Sequence, residues 1–210
     1  MFDYTLIHWT TFFIAAILLN ISPGPDMAFI LGQTARKGRP GGFAAMFGVW
    51  SGTFLHVVMA AAGLSVILAT SAIAFSVVKW AGAAYLIWIG LRALFSNGGS
   101  IIAETKAKES SIRSIYGQGV MVSALNPKVA IFFLAFLPQF VVAGAGPVGA
   151  QLFLHGSLII VVAGLIEPPL VFPGSRLATV LRNNKRVGLW MDRSLGALFI
   201  SLGIRLAFSD

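Results

Sequence analysis

The first apolar run of the chain is interrupted at residues 20–26, which read Asn20-Ile21-Ser22-Pro23-Gly24-Pro25-Asp26. The two prolines and the glycine remove or weaken backbone hydrogen bonds on which a membrane helix depends. A carboxylate follows them directly. Because lipid does not tolerate open backbone or a charge, protein or a water-filled cavity has to surround this segment. The stretch therefore predicts a broken helix that faces the interior of a membrane protein.

Composition extends this prediction to the whole chain. Of its 210 residues, 57% are hydrophobic and only 10% are charged, and the mean hydropathy is +0.86. A soluble domain has about 25% charged residues. We therefore expect an all-α integral membrane protein, with residues 1–210 forming one transmembrane domain. The first apolar run is expected to remain as a span, since no basic signal-peptide segment precedes it.

Hydropathy and turn residues predict six transmembrane helices. The predicted spans are residues 6–33, 43–69, a third that ends near residue 95, and then 117–142, 148–172 and 194–208. The polar segment that follows the third span, up to Ile115, is predicted to be a loop, and residues 144–147 a tight turn. Within the second span, Gly48 and Gly52 form a small-xxx-small pair that permits close contact between helices.

Basic residues are concentrated in alternate connections between the predicted spans. They are Arg36, Lys37 and Arg39, then Arg92, Lys106, Lys108 and Arg113, and then Arg176, Arg182, Lys185, Arg186 and Arg193. The other connections, near residues 70–71 and 144–149, carry none. This is the positive-inside pattern, which places the basic connections in the cytoplasm and both termini outside. The net charge of +8 is thereby explained by membrane orientation, and no nucleic-acid partner is expected.

Two similarities within the sequence indicate an internal repeat. Gly90-Leu91-Arg92 resembles Gly203-Ile204-Arg205, and the break at Ser22-Pro23 resembles Asn126-Pro127. The predicted halves are approximately residues 1–110 and 111–210. Because each half contains three spans, the second half crosses the membrane in the opposite direction. The result is an inverted 3+3 repeat, which is an architecture of secondary transporters.

The two breaks are predicted to lie at the same depth. A rise of about 1.5 Å per residue places each of them about 15 Å into a hydrocarbon core about 30 Å thick. The half-helix after Pro25 offers unpaired N–H groups that suit a carboxylate. Unwound carbonyls, Ser22, Asn126 and an acidic side chain suit an ammonium group. An α-amino acid carries both groups, so this constellation fits one.

Candidate functional residues follow from the breaks. The candidates for substrate binding are Ser22, Pro23, Gly24, Pro25, Asp26, Asn126, Pro127 and Lys128, and those for proton coupling are Asp26, His56 and Glu167. Each ionisable residue also has a simpler interpretation. Asp26 stabilises a helix N-terminus through the helix dipole, and Lys128 extends its ammonium toward the inner membrane face. His56 packs inside an apolar helix, and Glu167 lies at the membrane interface.

Several chemistries are absent from the sequence. The chain has no cysteine, so disulfides and thiolate metal sites are excluded. It has no GxxxxGK[ST], HExxH or GxSxG motif, and three scattered histidines make a poor metal site. We therefore expect no enzyme activity, no cofactor and no bound metal.

At Ser22-Pro23-Gly24-Pro25 the sequence resembles the lysine exporter family, in its homoserine/threonine efflux branch. The similarity includes Gly38, the spacing of Gly48, Gly52, His56 and Gly63-Leu64, the run from Gly82 to Leu86 with Gly90, Asn126-Pro127-Lys128, and Gly196 with Gly203. It covers nearly the whole chain. Glu167-Pro168-Pro169 departs from the pattern of the family.

This resemblance implies a multi-pass protein of the bacterial inner membrane that exports amino acids or their derivatives, of the threonine, homoserine or lysine class, by proton antiport. Its partners would be the amino-acid substrate, protons and membrane lipid, and an assembly of identical subunits is left open. A passive channel or pore for small solutes is the alternative that shares the broken helices. A membrane-embedded enzyme or a structural subunit is a third, weaker interpretation.

Overall fold

A computed structural model describes residues 3–21, 24–64, 72–95, 111–172 and 185–208. Within these ranges the regular structure is helical and contains no strand. The α-helices are α1 (Leu6–Ile21), α2 (Pro25–Met59), α3 (Ala72–Leu94), α4 (Ile112–Ala124), α5 (Pro127–Ile131), α6 (Val148–Ile166), α7 (Pro168–Val171) and α8 (Lys185–Phe208). A π-helical turn, Ala60–Leu64, extends α2. A second π-helical turn, Phe132–Phe136, and a 3₁₀ turn, Leu137–Phe140, extend α5.

Two described helices are long and apolar enough to cross a membrane, Pro25–Gly63 and Val148–Val171. The pair Ile112–Ala124 and Pro127–Phe140 meets the same test as one span with a bend of 46°. Large apolar side chains also point outward, such as Ile73, which is 80% exposed, and Leu165, which is 73% exposed. Lipid is the environment that such side chains prefer. The chain is therefore an all-α membrane protein.

Helix α2 is divided at Gly38, whose backbone has φ 65° and ψ −160°. Residues eight apart in a straight helix lie about 12 Å apart, yet a Cβ at Gly42 would collide with the side chain of Thr34. The chain therefore bends sharply at Gly38. We refer to residues 25–37 as α2a and residues 39–59 as α2b.

Glycines allow α2b and α4 to meet at backbone distance. A Cβ at Gly119 would lie 2.6 Å from the carbonyl oxygen of Ala45 and 3.1 Å from the Cα of Gly48. A Cβ at Gly52 would lie 2.5 Å from the carbonyl oxygen of Val120. A methyl group at these positions would push the helices apart. The close helix contact predicted from Gly48 and Gly52 is present.

Helices α3 and α8 pack through a second set of small residues. A Cβ at Gly90 would lie 2.7 Å from the carbonyl oxygen of Gly196, and a Cβ at Gly203 would lie 2.9 Å from that of Ala83. The two contacts are reciprocal, because Gly203 is 113 positions after Gly90 and Gly196 is 113 positions after Ala83. The helices run antiparallel through this contact.

The largest hydrophobic cluster joins α1, α6 and the turns after α5. Its largest fully buried side chains are aromatic: Phe12, Phe132, Phe133, Phe136 and Phe199. Helix α1 packs against α6, and α2b packs against both α4 and α6. These contacts bring the end of α1, the start of α2a and the start of α5 to one place.

Two predicted boundaries are wrong, and both helices begin earlier than expected. Helix α4 starts at Ile112 because the side chain of Ser111 accepts a 3.2 Å hydrogen bond from the amide of Ser114 and caps the first turn. Helix α8 starts at Lys185, since lysine, arginine, leucine and methionine are good helix formers even in a basic segment. The rest of the predicted loops, residues 96–110 and 173–184, lies outside the described residues, as does the predicted connection at 70–71.

Candidate functional site

The two helix breaks meet inside the molecule. The side-chain amide of Asn126 donates a 2.9 Å hydrogen bond to Oδ1 of Asp26, across a sequence separation of 100 residues. Asp26 stands in the first turn of α2a, and Asn126 caps α5. Ser22 and Pro23, which are also predicted site residues, lie outside the described residues. The residues predicted on both sides of the pair, from Gly24 to Asp26 and from Asn126 to Lys128, are brought together.

Each half-helix begins at a proline, but the two starts are capped differently. Gly24 precedes Pro25 in an extended conformation and offers no side-chain cap. Asn126 precedes Pro127, and its Oδ1 accepts a 3.0 Å hydrogen bond from the amide of Lys128. Since Asn126 is 1% exposed, both ends of its side chain are committed to protein partners. The start of α5 is therefore closed, whereas Gly24 supplies no side-chain cap to the N–H groups at the start of α2a.

Lys128 spans the first break. Its ammonium group donates a 3.2 Å hydrogen bond to the carbonyl of Leu19, in the last turn of α1. A Cβ at Gly24 would lie 3.2 Å from the same Nζ atom. The carbonyl end of a helix carries partial negative charge, which attracts a cation. The side chain is thus held at the break and does not extend to the membrane surface.

A cavity of about 610 Å³, including the part open to the surroundings, lies between these elements. Among the described residues, three ionisable ones line it: Asp26, Lys128 and Glu167. Its polar residues are Asn20, Trp50 and Thr53, and its apolar residues are Leu19, Met27, Ile30, Val49, Val129, Phe133, Ile159, Ile160, Ala163 and Leu170. A largely apolar wall with a few polar groups is typical of a small-molecule site.

Glu167 lines the cavity from a position directly before two prolines. Helix α6 ends at Ile166 and α7 begins at Pro168, so Glu167 occupies the joint. Its side chain is only 8% exposed, and Oε2 accepts a 2.6 Å hydrogen bond from the indole N–H of Trp50. The charges of Asp26, Lys128 and Glu167 are close enough to act on one another. The segment that departs from the family pattern therefore forms part of this site.

His56 stands behind the cavity wall. Its Nε2 lies 3.2 Å from the carbonyl oxygen of Ser123, and its ring packs on Phe133. The hydroxyl of Ser123 is 3.0 Å from that of Thr53, which lines the cavity. Of the three predicted proton-coupling residues, Asp26 and Glu167 line the cavity and His56 contacts its polar backing.

Sequence reasoning missed three polar residues of the cavity. Asn20 donates to the carbonyl of Ala16 at 2.8 Å and to that of Ile159 at 3.4 Å, joining α1 to α6. Trp50, the second, donates its indole N–H to Glu167. Thr53 is one helical turn from Trp50, so both share a face of α2b. Two signals in the sequence could have identified these residues. Asn20 is a polar residue close before the break, and Thr53 is a polar residue one helical turn from Trp50.

Comparison with known proteins identifies a family for this chain. A family model described as LysE type translocator matches residues 17–210. The chain belongs to the LysE type translocator family. It is 30% identical over 199 residues to a homoserine/homoserine lactone efflux protein of Salmonella typhi, with 95% of each chain covered. The corresponding protein of Salmonella typhimurium strain LT2 gives the same identity and coverage.

A leucine efflux protein of Salmonella choleraesuis is 24% identical over 208 residues, which cover 98% of this chain and 97% of the relative. No solved structure matches the chain. The relatives are named for efflux of amino acids and an amino-acid derivative, so a LysE type translocator is a transport protein and not a member of an enzyme family.

Proposed function

We propose that this chain exports amino acids or small amino-acid derivatives across the bacterial inner membrane, by alternating access coupled to proton antiport. The observation that carries the proposal is the cavity between the helix breaks, where two acids and one base meet in a largely apolar wall. An α-amino acid has an anionic and a cationic end, and the cavity offers partners for both. Homology to proteins named as efflux proteins supports the direction of transport.

The carboxylate of the substrate would bind at the start of α2a. The N–H groups of the first turn have no helical partner, and Gly24 supplies no cap. Lys128 adds a positive charge beside them, and the helix dipole adds to its attraction. Gly24 and Pro25 shape this position, while Asn126 and Pro127 hold Lys128 in place.

The ammonium group of the substrate would bind between the acidic residues. Glu167 has one carboxylate oxygen on Trp50, and Asp26 has one on Asn126. Asp26 and Glu167 are also the proposed proton-coupling groups, with His56 as the third. A proton on either acid removes the charge that attracts the ammonium group, so protonation and substrate binding would be mutually exclusive. Such exclusion is what antiport needs.

Cargo of the threonine, homoserine or lysine class is part of the proposal. The relatives named for homoserine, its lactone and leucine support small amino compounds. The apolar wall formed by residues such as Val49, Ile160 and Ala163 suits the aliphatic part of such side chains. A lysine-sized cargo would need to place its second ammonium group near an acid of the cavity.

The architecture that we propose has six spans, two inverted halves and both termini outside. Besides the reciprocal contacts of Gly90 and Gly203, Cβ atoms at these positions would lie 3.0 Å from the amide nitrogen of Ile200 and 3.2 Å from that of Ile87. These isoleucines are also 113 positions apart. In addition, α1 packs on α6 as α4 packs on α2b. Both similarities are expected if halves 1–110 and 111–210 share one fold.

Release of amino acids from cells loaded with dipeptides tests this function. Cells that produce the protein should release at least one amino acid faster than cells without it. The variant D26N should abolish the difference, because it keeps the size of the side chain and loses the charge. D3N is the matched control, since Asp3 is exposed and far from the cavity in sequence, and it should export normally. Equal release with and without the protein would contradict export.

Liposomes containing purified protein separate antiport from a passive pore. With antiport, an inward proton gradient should drive efflux of the amino acid against its own gradient, and D26N should lose this coupling. Flux that is indifferent to the pH gradient would favour the passive channel. Flux that depends on the gradient in the D26N variant would contradict the coupling role of Asp26.

A further inference from the structure

A second polar cluster lies at the end of the molecule opposite Glu167. It is formed by Tyr4 and His8, at the start of α1, and by Gln151 and His155, in the first two turns of α6. His8 is eleven residues from Leu19, which corresponds to about 16 Å along α1. The cluster is therefore separate from the cavity, and the proposed transport site does not use it.

The two imidazole rings share a hydrogen bond. Nε2 of His8 lies 2.8 Å from Nε2 of His155, and Nδ1 of His155 lies 2.8 Å from the carbonyl oxygen of Gln151. A carbonyl oxygen only accepts, so Nδ1 of His155 carries a hydrogen. In its neutral form His155 then has a lone pair on Nε2, and His8 has to donate from its own Nε2.

This arrangement has room for one additional proton. The free position in the neutral pair is Nδ1 of His8, and a proton added there leaves the bond between the Nε2 atoms intact. The bond becomes charge-assisted and therefore stronger. A second proton would have to bind Nε2 of His155, where it would meet the N–H of His8 at hydrogen-bond distance. We propose that His8 and His155 form a binding site for a single proton, which is held on His8.

The described side chains around the two histidines are mainly aromatic rings. Tyr4 stacks on His8 with a centroid distance of 4.3 Å, and Trp9, Phe12 and Phe140 place their rings within 6 Å of His155. Tyr4 is the titratable group that faces the pair from the start of the chain. The 3₁₀ turn contributes the ring of Phe140, and α6 contributes the amide of Gln151.

Gln151 fixes the geometry on which the site depends. It is fully buried, and its Oε1 accepts from the hydroxyl of Tyr4 at 3.0 Å and from the amide of Val142 at 2.9 Å. Its Nε2 donates to the carbonyls of Val142 and Gly146. With the whole side chain engaged, the first turn of α6 cannot rotate freely. His155, which is 1% exposed, presents only Nε2 to His8.

The site lies where an external proton would arrive, a statement that rests on the orientation in the proposed function. His8 is half-buried and His155 is buried, so solvent reaches the pair through His8. Because the bond between α1 and α6 survives protonation, the site can hold a proton without releasing the helices. It is thus suited to storing a proton beside α1, whose other end contacts Lys128 and the cavity.

Nitrogen-15 spectroscopy of the ring nitrogens tests the site directly and needs no transport. The chain has three histidines, so protein labelled with ¹⁵N-histidine in lipid nanodiscs gives three pairs of ring signals. At alkaline pH we expect His155 with its hydrogen on Nδ1 and His8 with its hydrogen on Nε2. On acidification His8 should become doubly protonated first. At the midpoint of the His8 titration, less than about a tenth of the His155 rings should be charged. This is the behaviour of two sites that are coupled by more than one pK unit.

Variants at position 8 separate the proton site from the helix contact. In H8Q the side-chain amide can still donate to His155 but cannot take up a proton, so the protonation step should vanish while the signal of His155 stays that of the Nδ1–H form. H56Q is the control, because His56 bonds to Ser123 outside the cluster, and the step should remain. Both rings of the wild type charging in one step, or His155 carrying its hydrogen on Nε2, would overturn the proposal. The wild-type spectrum decides even if H8Q does not fold.

Discussion

The indole of Trp50 donates a 2.6 Å hydrogen bond to the buried carboxylate of Glu167, and this bond joins the middle of α2b to the joint between α6 and α7. A hydrogen bond to a charged group contributes about 1.5–3 kcal/mol. Since it uses only Oε2, the other oxygen of Glu167 is available to the cavity that both residues line. Trp50 is therefore a positioning residue for the acid that we propose as a partner of the substrate ammonium group.

Replacing Trp50 by phenylalanine tests this relationship. W50F keeps an aromatic ring but leaves Glu167 without its donor, so we expect the half-saturating substrate concentration of export to rise by about tenfold or more, in line with a loss of about 1.4 kcal/mol or more. The measurement is efflux from liposomes at varied internal substrate concentration. W190F is the control, because Trp190 is 71% exposed. An unchanged half-saturating concentration in W50F would argue against a role for this bond.

Lys128 should be essential for substrate binding. K128M keeps an unbranched side chain but removes the charge from the break and the hydrogen bond from Nζ to the carbonyl of Leu19. We expect export to fall to the background level while the protein still inserts and purifies. K79M is the matched control, since Lys79 belongs to α3 and does not line the cavity. Export by K128M at half or more of the wild-type rate would exclude Lys128 as a substrate-binding residue.

Two substitutions of Asn126 separate its two hydrogen bonds. N126A removes both the cap of α5 and the donor to Asp26, and loss of an N-cap alone costs about 0.5–2 kcal/mol. N126D keeps the capping oxygen but places a second acid beside Asp26. We expect N126A to lower the thermal unfolding temperature in detergent. N126D should unfold closer to the wild-type temperature, with export that becomes strongly dependent on pH. Equal thermal stability of N126A and wild type would contradict the structural role of the cap.

The contact between α2b and α4 should not tolerate a methyl group. At Gly119 a Cβ would lie 2.6 Å from a backbone carbonyl, whereas at Gly117, two residues earlier in the same helix, no atom lies within 4 Å. Overpacking costs about 1–3 kcal/mol. G119A should therefore unfold at a lower temperature than wild type, and G117A should be at least as stable, because alanine favours the helix. Equal stability of G119A and G117A would mean that the helices separate without cost.

Local chemistry made the breaks and the helix contacts predictable. A proline interrupts a helix whatever surrounds it, so the sequence alone predicts helix breaks at Pro23, Pro25 and Pro127. The spacing of Gly48 and Gly52 likewise predicts a close contact, although not its partner α4. Counting residues from the membrane surface predicts one depth for Ser22-Pro23 and Asn126-Pro127, and the structure adds a hydrogen bond between their neighbour Asp26 and Asn126.

Contacts between distant residues could not be predicted in this way. Trp50 and Glu167 are 117 residues apart, and His8 and His155 are 147 residues apart. Whether such side chains meet depends on the rotation of α6 about its own axis, which no local pattern determines. A lone histidine in an apolar helix indicates packing, and only the partner on the neighbouring helix turns it into part of a pair. The same reason explains why Glu167 could be interpreted as a residue of the membrane interface.

The contact between α3 and α8 is reciprocal. Gly90 meets the backbone of α8 as Gly203 meets that of α3, at positions separated by the same interval. The two surfaces are not interchangeable, because α3 has Ala83 at the position that corresponds to Gly196 of α8. A Cβ at Gly196 would lie 2.6 Å from the carbonyl oxygen of Gly90, so a second copy of α3 would not fit this seam and α3 selects α8 as its neighbour.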